Sequence, residues 1–188
     1  MATEYISLKN LRFLMHDVHD VAYFTKNFDC YRQHDPEMFD LMLDTAKQIG
    51  DKELYPFYQE MDRKHIPDVF DGITKVHPQI PSIVKAMAES GWTRAIVPEE
   101  YGGMQLPSMV RVAGEFVFQA ANNGAMFYSE LTTGAAKLIQ SFGSEELKAE
   151  YLEKMFDGEW LGTMALTEPD AGSSVSYTHL TLPTIYPV

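Results

Sequence analysis

Residues 141–174 read SFGSEELKAEYLEKMFDGEWLGTMALTEPDAGSS, and two different periodicities meet inside them. Beyond Ser144 the apolar positions Leu147, Tyr151, Leu152 and Met155 recur at helical spacing, with Glu145 and Glu146 favourably placed against the helix dipole. Gly158 marks the end of that pattern. After it, Trp160 to Thr167 reads as a strand and Glu168 to Ser173 as a tight turn. The expected fold class is therefore all-α, a helical bundle that hands over to the first strand of a β-domain near Leu161.

Upstream the helical period persists. Leu11, Leu14, Val18 and Val21 predict a first amphipathic helix. Asp35, Pro36 and Glu37 are a helix start, followed by the stripe Phe39, Met42, Leu43, Ala46 and Ile49, continuing through Leu54. The interval from Arg63 to Pro81 has no sustained period and predicts a surface loop with short extended pieces. Ile83, Val84, Met87 and Ala88 mark a short helix stopped by Gly91. Ser108 is the expected cap of a helix whose inward positions are Val110, Ala113, Val117 and Ala120, ended by Asn122 to Gly124. A further helix runs from about Met126 to Phe142.

Composition narrows the function classes. Of 188 residues, 45% are hydrophobic and 22% charged, the balance of a folded globular chain. A net charge of −12 opposes binding to nucleic acid or to anionic lipid. No apolar run is long enough to insert into a membrane, and the N-terminus lacks the pattern of a secretory signal. The lone Cys30 leaves no internal disulfide, so a cytoplasmic location is expected.

The turn in ALTEPDAGSS carries the chemistry. A strand ending in a Pro/Gly turn aims successive backbone N–H groups in one direction, which forms an anion-binding concavity suited to a pyrophosphate. Gly172 removes a side chain where a ligand must approach, and Ser173 adds a hydroxyl donor. Thr167 offers backbone and hydroxyl to the polar edge of a flat ring.

GWTRAIVPEEYGG (residues 91–103) and the stretch from Ser141 to Ser174 together resemble the acyl-CoA dehydrogenase family. YISLKNLRFLMHDV, near the N-terminus, resembles the extension of a bacterial branch with methylthiopropanoyl-CoA dehydrogenase-like members. The resemblance implies FAD contacts at Met164, Ala165, Leu166, Thr167, Gly172 and Ser173. It places Leu166 and Thr167 at the isoalloxazine and Ser173 also at the acyl-CoA substrate. Where the family usually has Asp, this chain has Ser174, a weaker cap for the turn.

In that family a glutamate removes the α-proton of an acyl-CoA thioester while the β-hydrogen leaves as hydride to flavin N5. The resemblance implies that this base comes from a C-terminal helical domain beyond these residues, so no catalytic residue is expected here. Glu168 belongs to the flavin loop instead. Also implied are homo-oligomers and an electron-transfer flavoprotein as redox partner. The alternatives are an acyl-CoA oxidase or other flavoenzyme on the same fold, and a helical interaction module without cofactor. The expected organisation is an extension over residues 1–34, the helical domain over 35–160, and the start of the β-domain over 161–174.

Residues 175–188, VSYTHLTLPTIYPV, resemble an in-frame translation of a sequencing-library adapter end and are set apart from the functional reading. His16 and His19, with Asp17 and Asp20, have spacing that a metal could use, but a solvated helix face is the expectation. Trp92 and Tyr101 are expected to pack rather than to line a cleft. The 11 methionines are read as core fillers.

Overall fold

The structure is a computed structural model that describes residues 5–64 and 68–164. Its helices are α1 (Leu8–Phe13), α2 (Ala22–Asn27), α3 (Pro36–Ile49), α4 (Tyr58–Arg63), α5 (Ile80–Glu89), α6 (Ser108–Phe142) and α7 (Glu145–Phe156). The expected all-α bundle is what forms. α6 is its axis, with α3, α4, α5 and α7 packed along it.

The main core gathers the fully buried Phe39, Leu43, Leu54, Ile83, Val117 and Phe118, contributed by α3, α5, α6 and the turn after α3. Each such side chain taken from water contributes about 1.5–3 kcal/mol. A second, smaller cluster joins Val97 and Ala136 to Leu152, Met155 and Phe156 of α7. That cluster holds the end of the described chain in place.

Caps explain several boundaries. Asp35 accepts a hydrogen bond from the Met38 amide at 2.7 Å, and Pro36 occupies the first turn of α3. Ser144 accepts from the Leu147 amide and starts α7. At α6 the expectation fails: Ser108 lies inside the first turn, and Pro107 holds the cap position without a side-chain hydrogen bond.

Four further readings are corrected. A π-helical turn at Leu14–Val18 follows α1 and shifts the phase of its stripe. Leu11, Met15 and Val21 face the core, while Leu14 and Val18 are exposed. On α6 the inward residue is Ala121, not Ala120. On α7 Leu147 is 44% exposed, and the buried face is Leu152, Met155 and Phe156. No regular strand forms over residues 161–164, and the rest of the expected strand lies outside the described residues.

The interval after α4 holds a small hairpin, β1 (Asp68–Phe70) and β2 (Ile73–Lys75), paired antiparallel with Val69 opposite Thr74. Its turn, Asp71-Gly72, has φ of 52° and 73°, the left-handed pair that suits the twist of a two-residue hairpin.

The predicted break near Asn122 is present in the backbone angles, although the hydrogen-bond ladder bridges it. Asn122 is buried at φ −165°, ψ 86°, and its Oδ1 accepts from the Ala125 amide at 3.1 Å, restarting the helix as an internal cap. Its Nδ2 donates to the Leu54 carbonyl at 3.4 Å. Asn122→Ala should therefore destabilise the fold by about 1–2 kcal/mol, the usual cost of losing such a cap. Urea denaturation measures this as a lower midpoint with unchanged slope.

Candidate functional site

The two stretches that carry the family resemblance lie far apart in sequence and meet in space. The turn Trp92–Arg94 sits under the C-terminal end of α7. Thr93, buried, donates from its hydroxyl to the Phe156 carbonyl at 2.6 Å. That carbonyl is one of the four that a helix end leaves without an internal partner. Arg94 pairs with Asp157 at 2.6 Å, and its guanidinium lies 5.5 Å from the Phe156 ring centroid. An acidic residue is unfavourable at a helix C-terminus, and Arg94 neutralises it there.

The PEEYGG loop makes this turn rigid. Amides of Met104, Gln105 and Leu106 donate back to the carbonyls of Arg94, Val97 and Ala95 at 3.0, 2.9 and 2.7 Å. A Cβ on Gly103 would overlap the Val97 carbonyl, so only glycine allows the two backbone runs to lie this close. Gln105, with φ of 49°, ties in the N-terminal segment as well. Its carbonyl accepts from His34 Nε2 at 3.0 Å, and its Nε2 donates to the Cys30 carbonyl at 2.6 Å. Sequence spacing gave no sign of the His34 and Gln105 contacts.

Beyond α7 the chain turns back toward α6. The Glu159 and Trp160 amides both donate to the Lys154 carbonyl, at 2.9 and 3.1 Å. The Trp160 ring stands edge-on to Tyr151 with centroids 5.4 Å apart, and Lys154 Nζ lies 4.0 Å from its centroid. Gly162 then lands on α6. Its amide donates to Thr132 Oγ1 at 3.0 Å, and a Cβ there would come within 2.7 Å of the Ala135 Cβ. Thr132 and Ala135 thus form a seat that takes a bare backbone and one hydrogen bond.

Of the sequence-predicted flavin residues, Met164 follows directly from this seat, with its side chain 64% exposed. Ala165, Leu166, Thr167, Gly172 and Ser173 lie outside the described residues. Beside the seat a groove of about 610 Å³ is lined by Ile80, Val84, Tyr128, Gly158 and Leu161 among others. Apolar side chains on α6 and the final segment, Phe127, Leu138, Phe142 and Leu161, remain exposed.

The remaining candidates find ordinary roles. His16 Nε2 lies 2.9 Å from Asp40, which also takes the Arg12 guanidinium at 3.3 Å, so this face ties α1 and its following turn to α3. Trp92 packs in the core, edge-on to Phe118 at 5.2 Å. Among the described residues no His, Cys, Asp or Glu cluster could hold a metal, and no helix is long and apolar enough to cross a membrane.

Residues 36–159 match the acyl-CoA dehydrogenase N-terminal domain, and the chain belongs to the acyl-CoA dehydrogenase family. Among its relatives is a 3-methylmercaptopropionyl-CoA dehydrogenase of Ruegeria pomeroyi (strain ATCC 700808 / DSM 15171 / DSS-3), 40% identical over 93 residues, which cover 50% of this chain and 16% of that protein. A glutaryl-CoA dehydrogenase of Desulfococcus multivorans is 31% identical over 139 residues, 72% of this chain and 35% of that protein. The solved complex of glutaryl-coenzyme A dehydrogenase with glutaryl-CoA superimposes with a TM-score of 0.58 at 26% identity, over 73% of this chain and 33% of that one. The chain thus spans 16% and 35% of the lengths of these two curated relatives.

The seat makes a direct prediction. Thr132→Val keeps the shape of the side chain and removes the acceptor. Loss of one net hydrogen bond, about 0.5–1.5 kcal/mol, should speed exchange of the Gly162 amide by roughly twofold to thirteenfold. Amide hydrogen exchange followed by NMR checks it.

Proposed function

We propose that this chain is the N-terminal portion of an FAD-dependent acyl-CoA dehydrogenase, supplying the helical domain and the first loop of the flavin site. The junction carries this reading: the family match over residues 36–159 runs into ALTEPDAGSS, and Gly162, just ahead of that loop, is fixed to α6. On this reading residues 1–34 are an extension, 35–160 the helical domain, 161–174 the start of the β-domain, and 175–188 a foreign tail.

The donor set suits the cofactor. Backbone N–H groups around Gly172, with the Ser173 hydroxyl, match the needs of a pyrophosphate, and Thr167 matches the polar edge of a flavin. Met164, exposed beside the seat, has an apolar, polarisable side chain suited to a ring face. When bound, FAD supplies the ring that accepts hydride from the acyl chain. The work of these residues is orientation. Thr132 and Gly162 fix where the loop starts, and with FAD bound Leu166 and Thr167 would align the ring and Ser173 would reach both cofactor and acyl-CoA. The α-proton is taken by a glutamate from elsewhere in the enzyme. Electron-transfer flavoprotein as acceptor, assembly into homo-oligomers and a cytoplasmic location complete the reading.

The enzyme containing this chain should purify yellow with bound FAD and oxidise an acyl-CoA. Gly172→Val should lose the flavin, because a branched side chain blocks the backbone approach. Full flavin occupancy in that variant would sink the assignment of the loop.

The 188-residue chain alone should bind FAD only weakly. One turn contributes a few hydrogen bonds of about 0.5–1.5 kcal/mol each, or about 1.5–3 to a charged group, against an association cost of at least about 4 kcal/mol. Titration followed by flavin fluorescence tests this, and sub-micromolar binding would show that the binding residues have been misplaced.

A further inference from the structure

Gln105 stands in the left-handed backbone region, at φ 49°, which residues other than glycine rarely adopt. Such a conformation costs free energy and persists where the surroundings over-determine it. Here all four of its polar atoms are engaged. The amide donates to the Val97 carbonyl at 2.9 Å, and the side-chain Oε1 accepts from the Glu99 amide at 3.4 Å. The other two bonds come from the N-terminal segment, 71 and 75 residues away in sequence. His34 Nε2 donates to the Gln105 carbonyl at 3.0 Å, and Gln105 Nε2 donates to the Cys30 carbonyl at 2.6 Å. A carbonyl oxygen only accepts, so His34 carries a proton on Nε2. The His34 side chain is buried, with its ring centroid 6.0 Å from that of Phe39 in the main core.

Val97 carries the tie onward. It brings the loop into the smaller cluster with Ala136, Leu152, Met155 and Phe156, and Ala135 packs against that cluster. Gly162 lands on the same Ala135, where a Cβ on the glycine would come within 2.7 Å of the alanine Cβ. Gly103 lies so close to the Val97 carbonyl that a Cβ there would overlap it, which leaves the loop little room to shift. A displacement of Gln105 is therefore passed through packed atoms to the surface that seats Gly162.

We propose that Gln105 is a positioning residue through which residues 30–34 hold Val97, and thereby the Gly162 seat. Where that seat serves a flavin loop, the inference rests on the function proposed above; the contacts themselves do not depend on it. The strain at Gln105 fits this task. Glycine would take the same φ freely but could not reach Cys30. Residues 30–34 then belong to the framework of the cofactor site, although their direct contacts are with the loop.

Amide hydrogen exchange at Gly162 in the full 188-residue chain tests this, with no flavin present, so the outcome is separate from whether the loop binds FAD. Exchange is followed by NMR at several urea concentrations. Local opening depends little on urea, whereas unfolding of the whole bundle depends on it steeply. Gln105→Gly relieves the strain, keeps both backbone bonds and removes the side-chain tie. His34→Phe keeps a ring at the core and removes the donor. In both variants local opening at Gly162 is expected to quicken roughly twofold or more, the effect of one lost hydrogen bond. Unchanged or slower local opening in Gln105→Gly would overturn the proposal, since relief of strain would then outweigh the tie. A rise confined to the urea-dependent component would also overturn it, as a general loss of stability. Should His34→Phe not fold, Gln105→Gly decides alone.

Discussion

The geometry of the candidate site depends on a buried hydroxyl and a helix end: Thr93 Oγ1 donating to the Phe156 carbonyl at 2.6 Å. The last carbonyls of a helix must be satisfied from outside it. Here that requirement is met by a residue from the turn after α5, so the end of α7 is positioned by a distant part of the sequence. The Arg94–Asp157 pair beside it is half-exposed at the carboxylate and contributes at most about 1 kcal/mol, acting mainly to set direction. The buried bond matters more, because losing the donor would strand a carbonyl away from water.

The described residues after α7 take their position from that clasp. The chain leaves the helix, sets Trp160 edge-on to Tyr151, and lays Gly162 on the small residues of α6. Under the proposed function the loop that comes next meets a large cofactor and must start from a fixed point, since an error of an ångström at its root is carried to its tip. α6 supplies that point because it is the helix against which α3, α5 and α7 all pack. Phe127, Leu138 and Phe142 on the same helix are apolar side chains that the described residues leave exposed.

The helical elements were legible in the sequence wherever a period of 3.6 ran between recognisable caps. Asp35, Ser144 and Gly91 mark boundaries that the structure places there. The misreadings have local physical causes. The π-helical turn at Leu14–Val18 changes the phase of a stripe that regular spacing takes as constant. Leu147 has the correct period but sits in the first turn of α7, where the chain is exposed. The Asp71-Gly72 hairpin carried its own turn signal, yet its three-residue strands are too short to show alternation. The clasp itself could not be read from spacing, because Thr93 and Phe156 become neighbours only through the packing of α7 on α6. The family resemblance pointed to the same two stretches without saying that they touch.

The central claim is that the clasp at α7 fixes the seat of the following segment, and Thr93→Val addresses it directly. Valine preserves the bulk of the side chain and removes only the hydroxyl. Amide hydrogen exchange at Gly162 should then accelerate, together with the amides of the last turn of α7, although Gly162 and its acceptor Thr132 are untouched. An unchanged Gly162 exchange rate in a folded Thr93→Val chain would contradict the account, since the seat would then be set by α6 alone.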